Sequence, residues 1–141
     1  MLILDVNVII YAFRKDLPQF AQHAPWLGEL VNGNLAFAAP DTVLSGFLRI
    51  VTHPRIFSSP STIEEALTFA GQLRSCPSFT PILPSPRYWN IFSDLCRKAG
   101  VRGNLVPDAY LAAMAIDSGC DLITTDHDYS RFPDLRWRHP F

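Results

Sequence analysis

The sequence predicts an α/β fold, with a short and mainly parallel sheet covered by helices on both faces. Three observations carry that prediction. Short apolar runs of strand length alternate along the chain with longer stretches of helical character. The short runs are apolar at consecutive positions, as expected of strands buried on both faces. Breaks between the runs are marked by proline and glycine, with twelve prolines among 141 residues.

The elements follow in order. LILD, residues 2–5, reads as a buried strand, and VNVIIYAF turns into a helix ending near Arg14 and Lys15. Residues 18–33 read as a helix opened by Pro18 and stopped at Asn32-Gly33. LAFAA, 35–39, is a second strand closed by Pro40, after which Asp41 or Thr42 caps a helix through VLSGFLRIV. Ser61 or Thr62, followed by Glu64 and Glu65, resembles a capping box for a helix to about Leu73. FTPIL, 79–83, is a third strand candidate despite its proline. A helix from about Pro86 to Lys98 stops at Gly100, and another runs from Pro107 to Ile116 before Gly119. DLITT, 121–125, is a fourth strand, and RWRHP adds a short fifth.

Composition narrows the class. Hydrophobic residues are 48% and charged residues 18% of the chain, so a packed core is available, and the length suits a single domain over 1–141. No apolar run reaches membrane-spanning length, and the apolar N-terminus carries Asp5 with no basic start, so a cytoplasmic protein is expected. Cys76, Cys96 and Cys120 are odd in number and widely spaced, which fits reduced thiols and makes no zinc site. A net charge of −1 argues against bulk electrostatic binding of nucleic acid. Any contact with RNA or DNA would then use a local basic patch or a metal.

Ligands of such sheets bind beyond the carboxyl ends of the strands. Asp5 ends the first strand, Asp126 the fourth, and Asp108 opens the helix just before the fourth. Asp128 stands two residues beyond Asp126. Like charges so placed repel unless a cation lies near them. A hard cation such as Mg²⁺, or Mn²⁺ in its place, takes oxygen ligands of this kind and promotes phosphodiester hydrolysis.

LDVNVIIYAF, FLRIVTHPRIF and GNLVPDAYLAAMAIDSGCDLITTDHDYSRF together resemble the PIN domain, and most of all the VapC-type ribonuclease toxins of type II toxin–antitoxin modules. The resemblance implies a three-layer α/β/α sandwich and a Mg²⁺- or Mn²⁺-dependent endoribonuclease. It also implies in-line attack of activated water, leaving 5′-phosphate and 3′-hydroxyl ends. The implied partners are an RNA substrate (tRNA, rRNA or mRNA) and a VapB-type antitoxin, and an apolar, helix-rich surface favours a homodimer. By position, the family acids fall on Asp5, Asp108 and Asp126, with Asp128 beside them as a further metal ligand. Asn7, Thr125 and Asn104 take supporting places, with Thr125 orienting a ligand or water. The usual glutamate of the helix after the second strand is missing, and Ser45 or Gly46 stands where it is sought. Either the remaining aspartates suffice, or Asp41 compensates from the head of that helix, or activity is weak.

Arg49, His53 and Arg55 form a basic group after that helix and are candidate RNA contacts, although residues in a last helical turn also satisfy its free carbonyls. Each aspartate has a plain alternative too. Asp5 and Asp108 suit helix starts, and Asp126 with Asp128 suits an Asx-type turn. Their joint occurrence at one rim favours the metal site. His127 lies between two carboxylates, but in an extended segment its side chain points the other way. The tryptophans are read as core, with a base-stacking platform as the alternative. Two rival functions remain: a PIN-like binding module without catalysis, and an aspartyl phosphatase using Asp5 as nucleophile.

Overall fold

A computed structural model describes residues 1–141. Four parallel strands form the sheet in the order β2-β1-β3-β4: β1 is Leu2–Leu4, β2 Phe37–Ala38, β3 Asp121–Ile123 and β4 Trp137–Arg138. Six α-helices cover it: α1 (Val6–Phe13), α2 (Phe20–Asn32), α3 (Asp41–Val51), α4 (Ile63–Arg74), α5 (Tyr88–Lys98) and α6 (Val106–Ser118). Helix α1 packs on α2 and α3, α3 packs on α4, and α5 pairs with α6. This is the α/β/α arrangement expected from the sequence. No helix is long and apolar enough to cross a membrane.

The central strands explain their own position. Ile3, Leu4, Leu122 and Ile123 are fully buried, so β1 and β3 must be covered on both faces. A run of small residues, Ala109, Ala112, Ala113 and Ala115, lets α6 lie close in the same core. Gly119 ends α6 in the left-handed conformation at φ 68°, where a Cβ would be strained, and its N–H bonds back to the Ala115 and Ile116 carbonyls.

The expected strand over 79–83 does not form. Phe79 makes a single bridge to Phe37, and the chain then leaves the sheet. Pro81 has no N–H to donate and cannot extend a ladder. The cap of α4 is Thr62: its hydroxyl accepts from Glu65 N–H and the Glu65 carboxylate accepts from Thr62 N–H. Helix α3 has no side-chain cap at all, and Asp41 in its first turn instead pairs with Arg74 at 2.5 Å.

Strand order sets where a ligand can sit. From β1 the chain crosses to β2 on one side, whereas β3 leads to β4 on the other. The order therefore reverses between β1 and β3, and a crevice opens beyond their carboxyl ends.

Candidate active site

Asp5 leaves β1 at this crevice. Its N–H still pairs with the Ile123 carbonyl at 3.0 Å, so its backbone is held in the sheet while its side chain turns to cap α1. The carboxylate is 5% exposed and has three donors. Val6 N–H donates to Oδ1 at 2.7 Å, and Oδ2 accepts from Asn7 Nδ2 at 3.0 Å and from Thr124 Oγ1 at 2.6 Å. Burial nevertheless pushes the Asp5 carboxyl above its ordinary range, against these hydrogen bonds, and the nearby Asp126 charge adds to the rise.

Asp108 approaches from the first turn of α6, where the helix dipole favours a negative charge. The dipole does not prevail here. Burial, with repulsion from Asp5, Asp126 and Asp128, pushes the Asp108 carboxyl up to about 6. Asp126 follows β3 and is half-buried, and its Oδ1 accepts from Asp128 N–H at 2.8 Å. That is the Asx-type turn which the spacing allowed. Asp128 itself is exposed and pairs with Arg131 at 3.4 Å. It stands at the exposed rim, bonded through its N–H to Asp126 and near enough for its charge to act on Asp108. No three His, Cys, Asp or Glu side chains close into a cage around a single point.

The hydroxyl that ties the centre together is Thr124, where sequence reasoning had placed Thr125. Thr124 is fully buried, donates to Asp5, and accepts from Asn7 Nδ2 at 3.1 Å and Asp126 N–H at 3.0 Å. Thr125 contributes only its backbone N–H, to Asn7 Oδ1 at 3.4 Å. The cause is register. Leu4 pairs with Ile123, so the residue following each strand, Asp5 and Thr124, meet across the gap. Asn7 is thus hydrogen-bonded into the centre, whereas Asn104 lies exposed in a 3-10 turn (Gly103–Leu105) with no side-chain bond to the acids. Thr124→Val should cost about 1–3 kcal/mol in urea unfolding, because it leaves buried partners unmatched. Thr124→Ser should recover most of that loss.

The carboxylates of Asp5 and Asp108 face a cleft of about 390 Å³. Its α3 wall is made by Thr42, Val43, Gly46, Arg49 and Ile50, spaced to share one helical face. A Cβ at Gly46 would meet only Val6 Cγ2 at 3.7 Å, so the wall has room for a side chain it does not carry. Ser45 is exposed and lies off the cleft, and Asp41 points to Arg74. Neither replaces the missing glutamate, so α3 supplies no acid to the cleft. What it supplies is Arg49, exposed and without an ion-pair partner. His53 and Arg55 do not line the cleft, and His53 Nδ1 accepts from Arg55 N–H at 3.0 Å in a local turn.

Tyr129 is a further lining residue that sequence reasoning missed. Its ring is buried and its hydroxyl reaches Asp108 Oδ1 at 3.5 Å. Burial beside Asp5, Asp108 and Asp126 raises its ionisation far above the ordinary value, so the phenol remains a donor. Its place in the apparent solvated loop DHDYS gave no local sign of burial.

Comparison with known proteins agrees with this fold. The chain is 37% identical over 140 residues to "Ribonuclease VapC43" of Mycobacterium tuberculosis, covering 99% of this chain and 95% of that one. It is 36% identical to "Ribonuclease VapC31" of the same species, covering 99% of both. Among solved structures, VapBC2 of Rickettsia felis, bound to a promoter DNA fragment, superposes with a TM-score of 0.71 at 21% identity over 98% of this chain and 97% of that one. M. tuberculosis VapC20, described as a sarcin-ricin loop cleaving toxin, gives 0.66 at 14% identity over 96% and 99%. At these identities the structures speak for the fold alone. The PIN domain family profile matches residues 2–135, and with relatives this similar along their whole length the chain belongs to the PIN domain family.

Proposed function

We propose that this protein is a divalent-metal-dependent endoribonuclease, the toxin of a toxin–antitoxin pair. The observation that carries the reading is the crowding of Asp5, Asp108 and Asp126 at the sheet's reversal point, in a chain whose whole-length relatives are named ribonucleases. A Mg²⁺ or Mn²⁺ ion fits the donor set. The donors are all oxygen, and burial and mutual repulsion make Asp5 and Asp108 poor anions without a counter-charge. Mg²⁺ asks for only one or two direct carboxylates and keeps its remaining waters, so a closed cage is not required.

When bound, such an ion would neutralise the scissile phosphate and lower the pKa of an attacking water. The chain's own residues do the rest. Asp5, held by Thr124 and Asn7, and Asp108 on the opposite wall set where the ion can sit. Asp126 completes the inner charge, and Asp128 serves the water network at the rim. Arg49 meets a phosphate oxygen from the α3 wall, where no carboxylate competes for it. Arg49→Ala should raise KM about tenfold with a smaller change in kcat, and should lower the salt slope of RNA binding by about 0.7.

The test is incubation of the antitoxin-free protein with tRNA and rRNA in Mg²⁺, Mn²⁺ and EDTA, followed by mapping of the ends. Discrete metal-dependent cuts leaving 5′-phosphate and 3′-hydroxyl are expected. Uncut RNA in every lane, from folded protein, would favour the binding-module reading. A phosphate trapped on Asp5 would favour the phosphatase. By the same relationship to VapB-containing assemblies, the partner is an antitoxin of the VapB type, and the chain is expected to act as a homodimer.

A further inference from the structure

Beyond Asp126, on the side of the site away from Arg49, three rings cluster at the sheet edge. His127 lies 5.7 Å from Trp137 and 5.0 Å from His139 between ring centroids, and Trp137 lies 6.2 Å from His139. Strand pairing places them there. Trp137 pairs with Leu122 and Arg138 with Ile123, so His139 continues beside Thr124, and Thr124 N–H donates to the Arg138 carbonyl at 3.1 Å. His127 comes from the turn that carries Asp126 and Asp128.

The cluster does little for the core. His127 and His139 are exposed and Trp137 is half-buried, on an edge strand of two residues. The rings meet at 90°, 49° and 41°, so no pair is stacked face to face; the edge-to-face contact of His127 with Trp137 uses one face of one ring, and the exposed His127 and His139 keep ring surface open to solvent. Neither imidazole nor the indole N–H has a hydrogen-bond partner within the protein, leaving these donors to solvent or to a ligand.

We infer that His127, Trp137 and His139 form a subsite that stacks an unpaired nucleobase next to the scissile bond of a single-stranded RNA. The inference rests on the nuclease reading above and adds how the substrate is held. Sequence-tolerant RNA binding combines backbone cations with aromatic and histidine faces on which bases stack. Here the two are separated by the acids. Arg49 lies on the α3 wall, the rings lie on the β4 edge, and a strand crossing from one to the other passes its backbone over Asp5, Asp108 and Asp126.

The test uses the full chain in EDTA, where cleavage is stopped, and a fluorescein-labelled single-stranded RNA heptamer read by anisotropy. A heptamer of abasic ribose units is the control. The double variant His127→Ala/His139→Ala should bind the heptamer about tenfold more weakly, while the abasic strand should bind both proteins alike. Both positions are exposed, so the variant should keep its native melting temperature. His127→Phe/His139→Phe should restore affinity, because a ring face is restored without a charge. Native affinity in the alanine variant would overturn the inference and leave the nuclease reading intact. Failure of the phenylalanine pair to rescue, with a shallower salt dependence, would overturn it in favour of an imidazolium–phosphate contact. Absence of both RNA binding and metal-dependent cleavage in the native chain would overturn the reading and the inference together.

Discussion

Asp5→Asn is expected to abolish RNA cleavage, lowering kcat by a factor of about 10³ or more, while the protein remains folded. The rate loss follows from charge. Asp5 is the most buried of the acids and stands between the sheet's reversal point and the cleft, so its carboxylate is the one water can least replace. Removing a preorganised electrostatic group from a sequestered site commonly costs 10² to 10³ in rate, and here an ion would be lost with it. Asparagine keeps the oxygen that caps Val6 N–H but sets an amide NH2 against the Asn7 and Thr124 donors that Oδ2 accepts from, so the variant should fold with a loss of about 1–3 kcal/mol. Asp5→Ala removes that cap as well and should cost about 1 kcal/mol more. The measurement is single-turnover cleavage of a labelled RNA beside a urea unfolding curve for each variant. Cleavage by Asp5→Asn at a rate near the native one would remove Asp5 from the chemistry.

The second large effect is a pH-dependent trade between proton and metal. The Asp108 carboxyl is raised from an ordinary 3.8 to about 6, so the native state holds a proton that the unfolded state has released between those values. Stability then falls as pH rises through that window, since the folded state binds more protons there. The contribution is fully present below about pH 4 and is lost above about pH 6. Because Asp108 is half-exposed, solvent screening reduces it to about 1 kcal/mol. Asp5, raised in the same direction by burial, adds to the same slope.

Acids paired with arginine, the exposed Asp16 with Arg14 and the half-buried Asp121 with Arg136, are shifted down and act in the opposite sense. The contribution of Asp108 is therefore read as the difference between the native chain and Asp108→Asn. In the absence of metal, Asp108→Asn should be the more stable of the two at pH 7 and indistinguishable at pH 4. Millimolar Mn²⁺ should raise the melting temperature of the native chain at pH 7, have little effect at pH 5, and do nothing for the variant. Equal Mn²⁺ stabilisation at both pH values would detach metal binding from this carboxylate.

The two effects share one cause. The acids are costly to the fold and, on the proposed nuclease reading, useful to the site, a combination expected where local rules are broken for function. Sequence reasoning reached them because each falls at an element boundary that local signals mark: Asp5 after an apolar strand, Asp108 after Pro107, Asp126 after LITT. The missing acid of α3 was legible in the same way, as TVLSGFLRIV contains no carboxylate. Its consequence was not legible. Only the packed helix shows Arg49 facing the cleft while His53 and Arg55 turn aside, and Asp41 committed to Arg74, a residue 33 positions away.

By itself, then, the sequence determined the alternation of strands and helices, most of their ends, and the three inner carboxylates. These depend on period, capping and punctuation, which act over a few residues. Tertiary structure decided what depends on register and on distant partners. It chose Thr124 over Thr125, because Leu4 pairs with Ile123. It buried Tyr129 against Asp108, placed Asp128 at the rim with Arg131, and ended the expected third strand at one bridge. Neighbouring residues of the same type differ little in local preference, so a hydroxyl one position along is told apart only by the strand it pairs with. That pairing is settled by burying β1 and β3 together in the core, an energy spread over the whole chain and carried by no single stretch of it.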